Sequence, residues 1–213
     1  MGFQTEGTKK NTCQHSFKRR ERTVQKRAQE ILDNLPKEEG FTAVSVDESF
    51  FFFDSLVRKV WIEENSRPIV TVTGSHRHSC LFGAVNINGK QLFRQYYRFD
   101  ENTFYEFLKQ IHRKFPKCYL FLDKAPQHYK SHKVRRYFGK HNDNLVPVWL
   151  PTASPEFMVL EESWNISKKD LLLLTYYHSF TSFRKKIGEY FRTKHFNLSM
   201  RNYLVRDMSA HLS

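Results

Sequence analysis

Cysteine is scarce in this sequence. Three occur in 213 residues, at positions 13, 80 and 118, and no two form a CxxC pair. A disulfide framework is therefore not expected, and a reducing compartment fits better. Long apolar runs are missing too. The longest, Phe50 to Phe53 and Leu171 to Leu174, are far too short to span a bilayer. The opening Met1-Gly2-Phe3-Gln4 lacks the apolar stretch of a signal peptide. There is no internal repeat and no low-complexity linker. Negative charge is outnumbered, with 22 Asp and Glu against 35 Lys and Arg, a net +13. What is present is aromatic: 20 Phe and 10 Tyr in a chain 39% hydrophobic, which excludes disorder throughout. The expectation is a soluble intracellular protein with one sizeable core and a preference for phosphate-bearing partners or an anionic surface.

Organisation follows from periodicity. Residues 1–40 read as a loose lead-in, with a helix possible over 21–35 from the spacing of Val24, Ala28, Ile31, Leu32 and Leu35. Pro36 and Gly40 then punctuate the chain. From residue 41 the pattern is that of strands: Phe41 to Phe53, Val57 to Ile62 and Ile69 to Val72. Cys80 to Ile87 and Gln91 to Tyr97 flank Asn88-Gly89, the pair favoured in two-residue hairpin turns. Phe104, Phe107, Leu108, Ile111 and Phe115 recur at helical steps, with Asp100 near the start and Pro116 as a stop. Cys118 to Leu122 is a short buried strand. A helix is expected over His128 to Lys140, a strand over Leu145 to Leu150, and a helix from Pro155 to Ile166. Phe180, Phe183, Ile187 and Phe191 mark a last helix. A strand meander followed by alternating helices and strands implies an α/β fold, a mixed sheet with helices packed on it.

Three acids carry the chemical interest. Asp47 lies in the first long strand, with Ser45 and Ser49 on its face and Glu48 on the other. Asp123 ends the short strand Cys118 to Leu122. Glu161 and Glu162 stand in the later helix, where adjacent residues differ by about 100°, so only one of them can point at a given metal. Glu156 is an alternative that a helix-capping role would also explain. If the strands of Asp47 and Asp123 pair as parallel neighbours, their carboxylates meet at one sheet edge. Convergent carboxylates suit Mg²⁺, which prefers oxygen ligands and keeps several waters. Two such ions, about 3.5–4 Å apart, serve many phosphodiester-cleaving sites.

Asp123-Lys124-Ala125-Pro126-Gln127-His128 resembles the second-acid motif of mariner-type DDE transposases, in their bacterial and archaeal insertion-sequence branch. Leu150-Pro151 through Ser154-Pro155-Glu156, running on to Leu160-Glu161-Glu162-Ser163-Trp164, resembles that family's third-acid motif. There the acid stands three residues before the Trp, which maps to Glu161. Val46-Asp47-Glu48 resembles the first. The resemblance covers roughly residues 41 to 170. It implies a ribonuclease-H-like fold over 41–213, with C-terminal helices. It also implies two Mg²⁺ or Mn²⁺ ions held by Asp47, Asp123 and Glu161, and cut-and-paste transposition of double-stranded DNA by a homodimer assembled on the transposon ends. A prokaryotic, nucleoid-associated cytoplasmic protein follows. Lys124 departs from the family's Asn, and Met158-Val159 from its Asn-Pro. Family members carry a helix-turn-helix region ahead of the catalytic domain, which about 40 residues cannot hold. The chain therefore reads as a catalytic half, truncated or one product of a split frame.

Around the acids, Lys124, His128, Lys130, Lys133 and Arg136 are candidate DNA contacts, the last three with Lys140 forming a basic stripe along one helix. Arg184, Lys185, Lys186, Arg192 and Lys194 form a second basic region. The pairs His76/His78 and Cys13/His15 are weaker metal candidates, lacking further ligands nearby. Two other readings stand beside the transposase: a catalytically inactive DNA-binding remnant, and a nuclease of the same fold indifferent to transposon ends.

Overall fold

The computed structural model describes residues 22–23, 26–27, 29–56, 71–150 and 159–198. A five-stranded sheet is built from β1 (Thr42–Phe52), β2 (His78–Asn86), β3 (Gln91–Tyr96), β4 (Cys118–Leu122) and β5 (Leu145–Trp149), in the order β3-β2-β1-β4-β5. β1 to β3 form the expected antiparallel meander. β1 pairs parallel with β4, and β4 with β5. Helical residues 29–34 and a 3-10 turn, Leu35–Lys37, precede the sheet, as the spacing over 21–35 predicts, and the later helices are α1 (Glu101–Lys114), α2 (Pro126–Tyr129), α3 (His132–Lys140), α4 (Leu160–Leu172) and α5 (Phe180–Thr193).

Strand alternation divides the core in two. On one face Val44, Val46, Phe82, Leu120 and Leu122 meet Phe104, Phe107, Leu108 and Ile111 of α1 and Val134 and Phe138 of α3. On the other, Ala43, Phe51, Phe121 and Val148 meet Trp164 and Leu171 of α4 and Phe183 and Ile187 of α5. The α1 start is fixed as the sequence predicts. Asp100 Oδ1 accepts from the backbone N–H of Asn102 at 2.9 Å and of Thr103 at 2.8 Å, and Thr103 Oγ1 accepts from Asp100 N at 3.0 Å. This reciprocal box satisfies donors that a bare helix end leaves exposed.

Three local expectations change. The helix expected from His128 to Lys140 is two helices, because Ser131 leaves helical geometry and its hydroxyl caps α3 by accepting from Val134 N. The β2–β3 connection is wider than a two-residue turn. Asn86 Oδ1 accepts from Asn88 N at 3.1 Å and from Lys90 N at 2.7 Å. Among the central residues only Gly89 has positive φ, +79°, whereas the type I′ turn needs two such residues. The helix that carries Glu161 and Glu162 begins at Leu160 and runs on past Ile166 to Leu172. The lead-in 1–20, the strand candidates 57–62 and 69–70, Cys13, His15, and Pro151 through Met158 with Glu156 lie outside the described residues. No helix among the described residues is long and apolar enough to cross a membrane.

Candidate metal centre

The parallel pairing of β1 and β4 carries the chain toward the same side of the sheet at Asp47 and Asp123, close enough for the Asp123 charge to act on Asp47. The register ends with Ser45 level with Phe121, two residues before each acid, and β4 itself ends at Leu122. Across the antiparallel side Asp47 faces Gly83. The missing side chain at Gly83 makes room for an indole: a Cβ there would lie 2.8 Å from Cη2 of Trp164. Trp164, wedged edge-on against Phe51 and Phe93, donates from Nε1 to Asp47 Oδ2 at 2.8 Å. Burial pushes the Asp47 carboxyl up, the charges of Glu48 and Asp123 push the same way, and the Trp164 hydrogen bond offsets only part, leaving it at about 7.

Asp123 belongs to a second, tighter group. Its Oδ1 accepts from Ala125 N at 3.1 Å and lies 2.7 Å from His128 Nδ1. His128 is buried, with its ring against Phe104. Its other nitrogen, Nε2, stands 3.4 Å from Glu48 Oε2. Gln127 Nε2 donates to Glu48 Oε1 at 2.8 Å. Glu48, Asp123 and His128 each bring a ligand atom to within 4.8 Å of the others. Burial alone would lower the His128 pKa. The hydrogen bonds and charges of Asp123 and Glu48 outweigh it and raise it to about 9, so the imidazole is cationic at neutral pH. Burial likewise raises Asp123, but the His128 contact and the Ala125 N–H bring it below the usual carboxylate value.

Alternation sends Glu48 to the face opposite Asp47, which in the sequence sets it aside. The face is as expected, but β4 ends at Leu122, before Asp123, and His128 lies between Asp123 and Glu48, so Glu48 joins the group. The signal available in the sequence was Gln127-His128 itself, two side chains with polar reach one short turn after the acid.

Glu161 is exposed in the first turn of α4. It precedes Trp164 by three residues, the spacing of neighbours on a helix surface. The Trp164–Asp47 bond thus anchors the helix that carries Glu161 to the middle of β1, although Glu161 is not part of the Glu48–Asp123–His128 group. Glu162 is exposed beside it. Lys124, Lys130 and Arg136 are exposed, while Lys133 is half-buried and bonded to Asn102 Oδ1. Arg184 serves packing: it donates to Tyr96 O at 2.9 Å and lies over the Tyr97 ring. His78 packs on Phe50 and Phe52.

This donor set fits a hard divalent cation. The acids offer carboxylate oxygens, buried Glu48 Oε2 has only the His128 Nε2 contact, at 3.4 Å, and Asp47 is held near neutrality by burial and its anionic neighbours, a condition an added cation reverses.

Residues 42–184 match a family model described as DDE superfamily endonuclease. No curated protein matches the chain. Among solved structures, the fold is similar to the Mos1 strand transfer complex, with TM-score 0.58 and 17% identity over 86% of this chain and 58% of that one. It is also similar to the mariner Mos1 paired-end complexes with Mg (TM-score 0.58, 19% identity, 87% and 58%) and with Mn (TM-score 0.55, 20% identity, 88% and 58%). The chain thus spans about 58% of the length of these solved chains. The five-stranded mixed sheet flanked by helices is the ribonuclease-H-like fold, as the sequence resemblance implied.

Proposed function

Because the chain belongs to the DDE superfamily of endonucleases, we propose that it is a transposase catalytic domain that cuts DNA and joins the freed 3′ end to a new site. What supports this reading is the parallel pairing of β1, which carries Asp47, with β4, which runs into Asp123, and the Trp164 bond that ties the Glu161 helix to Asp47. Asp47, Asp123 and Glu161 are the proposed ligands of two Mg²⁺ or Mn²⁺ ions. Bound there, such ions supply activation of the attacking oxygen and stabilisation of the leaving one.

The chain's own residues prepare that site. His128 and the Ala125 N–H fix the Asp123 carboxylate in one orientation. Gln127 and His128 hold Glu48. Trp164 keeps Asp47 oriented while excluding water from one of its oxygens. The exposed cations Lys124, Lys130 and Arg136 suit phosphates of double-stranded DNA, with contacts independent of sequence and weakened by salt. Assembly as a homodimer on paired DNA ends, in the cytoplasm of a bacterium or archaeon carrying an insertion sequence, completes the proposal.

Incubation with supercoiled plasmid and Mn²⁺ tests it. Nicked circles should form with the native chain and not with Asp123→Asn at unchanged circular dichroism. Equal nicking by both rejects the assignment. Retention of plasmid in a gel-shift assay without any nicking would favour an inactive DNA-binding domain.

A further inference from the structure

We propose that a cleft beside Asp123 holds one unpaired nucleobase of the DNA strand being processed, an inference that rests on the DNA-cutting reading above. The cleft has a volume of about 560 Å³ and is lined by Lys124, Tyr129, Arg135, Phe138, Pro147 and Trp149. Such a volume suits a ligand of nucleotide size. It starts at the residue after Asp123 and runs between α2, α3 and the edge strand β5. Pro147 sits in β5 without cost because that strand pairs on one side only.

The lining is chemically specific. The Trp149 ring centroid lies 6.2 Å from that of Tyr129 at 70° and 6.2 Å from that of Phe138 at 79°. Two rings thus stand edge-on to the indole. Tyr129 remains 38% exposed and Trp149 is half-buried, so these aromatics form a wall of the cleft instead of being sealed in the core. Two of the six lining residues are cations and none is an acid. Neither Lys124 nor Arg135 has an ion-pair partner among the described residues.

Aromatic faces with adjacent cations match a nucleotide: the base stacks on the rings and its phosphate meets the lysine or arginine. An apolar peptide would leave both cations unanswered. A base inside a duplex cannot enter, since its faces are covered by its neighbours, so the occupant is an unstacked base. Lys124 stands between the cleft and the Asp123 carboxyl in sequence, so a base seated here belongs to a nucleotide close to the phosphate being cut.

The test uses the full chain in EDTA, where no cutting occurs. The probes are a short single-stranded oligonucleotide carrying one 2-aminopurine, and its abasic counterpart. The native chain should quench the 2-aminopurine fluorescence and bind the intact strand on the order of 10-fold tighter than the abasic strand, the size of one base stack. Tyr129→Ala and Trp149→Ala should lose both the preference and the quenching, whereas Tyr129→Phe and Trp149→Phe should keep them. Equal affinity for the intact and abasic strands, no binding of the intact strand, or undiminished quenching in both alanine variants overturns the proposal. Plasmid nicking with Mn²⁺ is measured separately. Nicking without base preference removes the cleft assignment alone. Base preference without nicking supports the cleft and removes the transposase reading.

Discussion

Trp164 donates its indole N–H to Asp47 across 117 residues of sequence, at 2.8 Å. One bond thereby joins the third-acid helix to the first-acid strand, and it does so through a gap that only Gly83 leaves open. The indole is both a core residue and the polar partner of a candidate ligand.

Trp164→Phe preserves the aromatic packing and removes that donor. The hydrogen bond lowers the Asp47 pKa, so its loss should move the carboxyl above about 7. The acid limb of a nicking-rate profile should shift to higher pH, with a stability loss of about 1 kcal/mol, typical of one hydrogen bond. An unmoved profile would separate Trp164 from the chemistry.

Asp47 also makes a stability prediction in metal-free buffer. Its folded pKa, about 7, lies above the ordinary 3.8, so the unfolded chain releases this proton first. Stability therefore falls as pH rises from about 4 through 7 and levels off above. Asp47→Asn cannot ionise and still accepts from Trp164. It should match the native chain at pH 4 and exceed it by about 2–4 kcal/mol at pH 8. Urea melts at the two pH values measure this; a destabilised variant at pH 8 would show that the carboxylate is already well solvated.

His128 has the same sign in a higher pH window. Its folded pKa of about 9 lies above the ordinary 6.5, so the charged imidazole stabilises the fold fully below about 6.5, and that contribution is lost as pH rises through about 9. Removing one partner of a buried charged group costs about 3–5 kcal/mol. His128→Gln should therefore lose about 3 kcal/mol at pH 6 and much less at pH 10. A pH-independent loss would point to packing against Phe104 alone.

Much of this site could be read from the sequence. A strand–helix–strand order suffices to make the strand of Asp47 and the strand that runs into Asp123 parallel neighbours, which the structure shows. Glu48 was not legible in this way. Alternation reports which face a side chain leaves from, not how far it reaches, and it does not govern Asp123, which follows the end of β4 at Leu122. The break between α2 and α3 was hidden by helical spacing that continues across it, although Ser131 is a capping residue type. The wide β2–β3 turn was set by the Asn86 side chain, which lies before the Asn88-Gly89 pair that dominates the local signal.

The central claim is that Asp47, Asp123 and Glu161 jointly hold divalent ions. Titration of Mn²⁺, followed by the loss of its free electron paramagnetic resonance signal, tests it without DNA or turnover. The native chain and Glu162→Gln should bind Mn²⁺ at millimolar concentration or below, while Asp123→Asn and Glu161→Gln should lose most of that binding. Equal binding by all four proteins, or none by the native chain, would contradict the account.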